Sequence, residues 1–172
     1  MTKTVHPLPS APERPESTAF RDAMAQVVSA VHVVTTLGSH GRTGLTATAV
    51  ASVSDTPPTV LACIARASRT LAAIEASGIF CINTLSADDA ELAEIFASRR
   101  GINGEARFTT ARWGELVTGA PVLLGAVAAF DCRLVSTQDI ASHRLLIGEV
   151  VGLGGAGQGG GLIYRRRHFG AV

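Results

Sequence analysis

Leu45-Thr46-Ala47-Thr48-Ala49-Val50-Ala51-Ser52-Val53-Ser54 contains no charged residue and no helix-period apolar stripe. Read as a strand, it places Thr46, Thr48, Ser52 and Ser54 on one face. Leu45, Ala47, Ala49, Ala51 and Val53 fall on the other. One face is hydroxylic and the other mostly small and apolar. Hydroxyls can bond a polyol chain or a phosphate, and small side chains let a flat ligand approach the backbone. A barrel strand packed closely on a helix, where alanines save space, has the same pattern. The stretch alone is compatible with both.

Working outward, His32 to Leu37 is β-branched and reads as a strand, followed by turn residues Gly38 to Gly41. Thr59 to Ala65 reads as another strand, set off by Pro57-Pro58, which cannot sit in a central ladder. Ile79 to Asn83, Val122 to Val135, Arg144 to Leu153 and Leu162 to Arg165 complete the strands. Three helices are expected. One is capped at Ser17 or Thr18 and buries Phe20, Met24, Val27, Val28 and Val31 on one face. A short one follows Ser68, and a third follows the loose capping box Ser86 to Asp89. Arg99 to Gly119 reads as irregular. Strands and helices do not alternate regularly, so the pattern is mainly β with appended helices, a β-barrel rather than a doubly wound sheet. Pro7, Pro9, Pro12 and Pro15 mark residues 1–18 as a flexible tail, leaving one domain over 19–172.

Composition narrows the function. The chain has 172 residues and a net charge of +1, too balanced for a typical nucleic-acid-binding surface. No apolar run approaches a membrane span, and no signal-peptide pattern opens the chain, so a cytoplasmic location is expected. Cys63, Cys81 and Cys132 form no C-x-x-C pair, and the dispersed histidines suggest no metal site. Eighteen glycines and an aromatic content of only 5% imply a core with few large side chains and room for something bulky against the backbone.

Gly152-Leu153-Gly154-Gly155-Ala156-Gly157 matches G-x-G-x-x-G after a strand. More glycine and the strand-like Leu162-Ile163-Tyr164 follow, however, where a dinucleotide fingerprint requires a helix. A glycine-rich hairpin loop is the better reading. Ser68, by contrast, can cap a helix whose free N–H groups favour an anion, with Arg66 and Arg69 on either side. A surface helix with two solvated arginines is the alternative. The hydroxylic strand, capped helix start and arginines together suggest a phosphate-bearing ligand with a flat head. His143 begins a strand after a polar turn. Arg165-Arg166-Arg167 is a short basic run, either solvated or in contact with a phosphate or a second subunit.

Several segments, in order, resemble a known family. They are Phe20 to Met24, Val33-Val34-Thr35-Thr36, Thr46 to Thr59 and Cys81-Ile82-Asn83-Thr84-Leu85. Arg107-Phe108 with Trp113, Phe130 to Arg133, His143 and Gly161-Leu162-Ile163-Tyr164 continue the series. Over about residues 19–170 the chain resembles the small flavin reductases that serve two-component flavin monooxygenases. Its early stretches resemble the reductase component of 4-hydroxyphenylacetate 3-monooxygenase. The stretch from Arg107 to Arg133 resembles the flavin reductase of pyrimidine degradation.

The resemblance implies a homodimeric split β-barrel of the FMN-binding flavin reductase type. It also implies hydride transfer from NADH, favoured over NADPH, to FMN, with FAD also possible, and diffusible reduced flavin passed to a separate monooxygenase acting on an aromatic or heterocyclic substrate. A split-barrel flavin-binding protein without turnover is the alternative. Cofactor contacts are implied at Thr46, Ala47, Thr48, Ala49, Ser52, Val53 and Ser54. Cys63, Ile64 and Ala65 are expected against the ring, and Ser68, Arg69 and Thr70 at the phosphate. His143 is expected at the nicotinamide. The flavin carries the chemistry, so no catalytic side chain and no metal are expected. The family's Gly-Asp before the histidine is replaced here by Ala141-Ser142.

Overall fold

The computed structural model describes residues 15–155 and 159–172. The chain begins with helix α1 (Ser17–Met24) and strands β1 (Ser29–Ala30), β2 (His32–Gly38), β3 (Gly41–Ala47), β4 (Val50–Asp55) and β5 (Pro58–Ala65). Helix α2 (Arg69–Ser77), β6 (Ile79–Thr84), a 3-10 turn (Ala87–Asp89) and α3 (Ala90–Phe96) follow. A 3-10 segment (Gly104–Thr110), β7 (Trp113–Gly114) and β8 (Val122–Leu123) lead to β9 (Ala128–Ile140) and β10 (His143–Gly154). The chain closes with β11 (Leu162–Arg165) and β12 (His168–Ala171).

Seven antiparallel strands form one sheet in the order β3-β2-β6-β9-β10-β5-β4. Its two edges, β3 and β4, are consecutive in the chain, with only Thr48-Ala49 between them. One extended run thus leaves the sheet at one edge and rejoins it at the other. Among the described residues no continuous ladder joins these two edges, so the barrel is split there. The expected single strand Leu45–Val53 is therefore two strands, since a ladder cannot pass from one edge to the other without a break.

Val34, Ala47, Val60, Ala62, Ile64, Phe80, Ile82, Cys132 and Leu146 line the inner face. Leu71 and Ile74 of α2 join this cluster, so the helix packs as a plug. Ser68 caps α2, its Oγ accepting from Leu71 N–H at 3.4 Å, and Gly78 ends it at φ 72°. Glycine makes room where large side chains do occur. A Cβ on Gly148 would lie 2.4 Å from Cζ of the buried Phe80. A second cluster contains Val31, Val33, Leu92, Ile95, Phe96 and Phe108, with Trp113 against it. The Phe96, Phe108 and Trp113 rings stand 4.9–5.6 Å apart.

Buried polar groups pin the long connection onto the sheet. Asn83 Oδ1 accepts from Leu123 N–H at 2.8 Å. Asp131, fully buried, accepts from the N–H groups of Val117 and Thr118, both at 2.8 Å, and from the Thr118 hydroxyl. Among the described residues no helix is long and apolar enough to cross a membrane.

Several expectations change. Helix α1 stops at Met24, and Phe20, Met24, Val27 and Val28 are about half exposed, while Val31 is buried beyond the helix. Pairing of Ser29-Ala30 with β11 draws the chain into a sheet before the helix can extend. Ser17 and Thr18 lie inside α1 rather than in a tail, its N-cap position is Glu16 rather than either of them, and residues 1–14 lie outside those described. The strand expected from Val122 to Val135 is broken by a turn with Gly125 at φ 104°. Arg99 to Gly119 contains a 3-10 segment and β7. Among the described residues, the strands flanking the expected glycine hairpin do not pair with each other. Gly152 to Gly154 are in β10, β11 pairs with β1 and β12 instead, and residues 156–158 lie outside those described. The Ser86–Asp89 capping box forms as expected.

Candidate functional site

Three segments converge on the outer face of the barrel beside the start of α2. The first is the corner Thr48-Ala49, both exposed. The second is the end of β5, joined to it by a bond from Cys63 N–H to Ala49 O of 2.9 Å. The third is the start of β10, where His143 pairs with Ala65. Val60, Ala62 and Ile64 are buried inward on β5, so alternation turns Cys63 and Ala65 outward. Leu146 is buried inward on β10, so His143 shares that outer face.

The chain then turns into α2, with Ser68 N–H bonding Ala65 O at 2.9 Å. The orphan N–H groups of the helix start therefore sit directly beyond the outer face. Arg69 is exposed and makes no ion pair among the described residues. Thr70 is buried, and its hydroxyl lies 2.9 Å from that of Thr43 on β3.

The structure does not bring every expected residue here by its side chain. Thr46 donates its hydroxyl to Ala93 O at 2.7 Å, tying β3 to α3. Ala47 and Ile64 point into the core, so only their backbones are available. Ser52, Val53 and Ser54 lie further along β4, where Ser54 pairs with Thr59 and a bulge interrupts the ladder. That is the end of β5 remote from Ala65. The Ser54 hydroxyl bonds Thr56 O at 3.2 Å. The continuous hydroxylic face is thus divided by the corner and the bulge.

Arg66 also changes role. Its Nε lies 3.6 Å from Asp139, and its Nη1 donates to Ala141 O at 3.5 Å, so it holds the β9–β10 turn rather than bracketing the helix start. Arg165, Arg166 and Arg167 clasp α1 and the turn after it: Arg165 bonds Gln26 O at 3.1 Å, Arg166 bonds Gln26 Oε1 at 3.0 Å, and Arg167 pairs with Asp22. A groove of about 460 Å³ lies between α2 and the β9–β10 turn, lined by Arg66, Ala67, Leu71, Glu75, Ser142 and Arg144 among others.

Two neighbours were not singled out from sequence as ligand contacts. Arg107 donates to Gly44 O at 3.3 Å and to Ser98 Oγ at 2.7 Å. Burial, then the charge of Arg69, lowers its pKa, so two guanidinium groups approach the same region. Ser142 places its hydroxyl 2.9 Å from His143 Nδ1. Arg107 lies far from Arg69 in sequence, and only folding pairs them, whereas Ser142 adjoins His143 and its chemistry was legible.

These residues fit a flat anionic ligand. The outer face offers only small side chains at Ala49, Cys63 and Ala65, and the helix start offers N–H donors beside the exposed Arg69 guanidinium. Cys63 is half-buried, while burial pushes the thiols of Cys81 and Cys132 up, the latter to about 12. Neither buried thiol is a reactive thiolate.

A family model for the flavin reductase like domain matches residues 24–172. The FMN reductase (NADH) RutF of Ancylobacter novellus is 47% identical over 153 residues, covering 89% of this chain and 83% of that one. Among solved structures, BorF is the flavin reductase component of a bacterial two-component tryptophan halogenase. It superimposes with a TM-score of 0.84 at 26% identity over 91% of this chain and 98% of its own. The NADH:FAD oxidoreductase SgcE6 of Streptomyces globisporus, solved with NAD and FAD fragments, gives 0.81 at 27% identity over 93% and 95%. Sequence and architecture agree over the whole barrel, and the chain belongs to the flavin reductase like family.

Proposed function

We propose that this protein is an NADH-dependent FMN reductase, acting as a cytoplasmic homodimer that passes reduced flavin to a separate oxygenase. The observation that carries this reading is the pairing of His143 with Ala65. It sets a nicotinamide-binding candidate one strand from the segment that runs into the Ser68–Arg69 helix start.

Bound flavin supplies a ring that accepts hydride, so the protein needs no nucleophile of its own. Backbone groups of Thr48-Ala49 and Cys63 to Ala65 hold the ring edge. The first turn of α2 and Arg69 hold the phosphate, and His143 orients the nicotinamide. Reacting atoms must stand about 3–3.5 Å apart, so the work of these residues is positioning. Val53, Val135, Ile140 and Leu153, all at least half exposed, supply apolar surface for a second subunit.

Mixing the purified chain with FMN and NADH and following the nicotinamide absorbance tests the reading. Oxidation faster with NADH than with NADPH is expected. No oxidation above background with either overturns it.

A further inference from the structure

We propose that Arg144 is a positioning residue that locks the turn carrying His143 onto helix α2. On the flavin reductase reading, which this deepens, Arg144 sets the nicotinamide end of the site relative to the phosphate end.

Alternation along β10 sends neighbouring side chains to opposite sides. His143 faces outward, toward the proposed ligand. Arg144, two residues before the inward Leu146, faces the mouth of the barrel that α2 plugs. There its Nη1 donates to Glu75 of α2, and its Nε donates to Asp139 of β9 at 2.5 Å. One guanidinium thus ties three elements together. Arg66 adds a second cation at Asp139, its Nε 3.6 Å away. Two arginines and two carboxylates balance, so the groove between α2 and the turn holds paired charges, unlike the exposed Arg69.

The backbone does not make this tie redundant. His143 is the last residue paired in both ladders of β10, with Ala65 and with Ile140. Beyond it the turn is bonded to the chain before α2, where Arg66 N–H donates to Ser142 O at 3.0 Å. Helix α2 is seated separately, by Leu71 and Ile74 in the core. Among the described residues, the bond from Arg144 to Glu75 is the one side-chain hydrogen bond joining α2 to β9 or β10. Arg144 is 26% and Glu75 30% exposed, so solvent screens the pair only in part.

Hydrogen exchange on the ligand-free chain and steady-state kinetics test this together. Glu75→Ala removes only the α2 end of the tie and puts a strong helix former in the helix, so the fold is retained. It should speed amide exchange over residues 140–143 about fivefold and raise KM for NADH by a similar factor, the effect of one partly exposed ion pair. Exchange at the start of α2 and FMN affinity should stay unchanged. Arg144→Met should reproduce both effects, and combining it with Glu75→Ala should add nothing. Unchanged exchange in the turn, additive effects, or equal loss of FMN affinity would overturn the proposal. A lowered denaturation midpoint with wild-type KM would also overturn it, by confining Arg144 to fold stability. Absence of NADH oxidation by the wild type overturns the flavin reductase reading instead, and faster exchange in the turn of Glu75→Ala would still support the tie.

Discussion

The backbone N–H of Cys63 donates to the carbonyl of Ala49 at 2.9 Å, which extends the β4–β5 ladder to within two residues of the end of β3. The two edges of the sheet therefore meet at a corner only Thr48-Ala49 long. The surface at this corner is built from backbone and the small side chains of Thr48, Ala49, Cys63 and Ala65. Arg69, at the adjacent helix start, then becomes the principal charge available to an anion.

Arg69→Gln should weaken FMN binding by about 10- to 150-fold, the loss of a charge-assisted bond of about 1.5–3 kcal/mol. Riboflavin, lacking the phosphate, should bind wild type and variant equally. Fluorescence titration with the two flavins checks this. An equal loss for both would place the phosphate elsewhere.

Ala141 sits at φ 51° in the turn before His143, a conformation that disfavours any side chain with a Cβ. Ala141→Gly should raise stability by about 1 kcal/mol, the left-handed strain relieved exceeding the entropy glycine adds to the unfolded chain. Urea unfolding measures it, as an increased midpoint with unchanged slope.

Gly148→Ala should act in the opposite sense. The new Cβ would meet Phe80 Cζ at 2.4 Å and Cys132 Cβ at 3.1 Å, inside the core cluster that lines the barrel. Overpacking of this kind costs about 1–3 kcal/mol. A wild-type denaturation midpoint would mean that the Phe80 ring moves aside freely.

Stability should also depend on pH through His32. Burial pushes its pKa down to about 4 from an ordinary 6.5, and its Nδ1 lies 3.1 Å from the Thr84 hydroxyl. Between those values the unfolded chain binds a proton that the folded chain refuses. The contribution is therefore whole above about pH 6.5 and is lost as pH falls toward 4, on the order of 3 kcal/mol in all. Denaturation of wild type and His32→Asn at pH 7.5 and 5 should show the variant losing less. Parallel losses would assign the acid sensitivity to other groups.

Local signals in the sequence were enough for the mainly β class, the Ser68 cap, the Ser86–Asp89 capping box and the rejection of a dinucleotide motif. Each depends on residues within a few positions of one another: period-two alternation, a side chain reaching a nearby N–H, and a strand where a helix was required. The family followed from several such segments in order.

The division of the 45–54 run between two edges of one sheet was not local. Alternation is the same whether a strand keeps one partner or exchanges it, so only the ladders to β2 and β5 reveal the corner and the fate of the Thr46 hydroxyl. Arg66 turned toward Asp139, and Arg165 to Arg167 closed on α1, because their partners lie far away in sequence. The sequence by itself determined the mainly β class and where the Ser68-capped helix begins. Tertiary pairing alone decided which side chains reach that helix start, because side-chain direction there depends on the strand alongside.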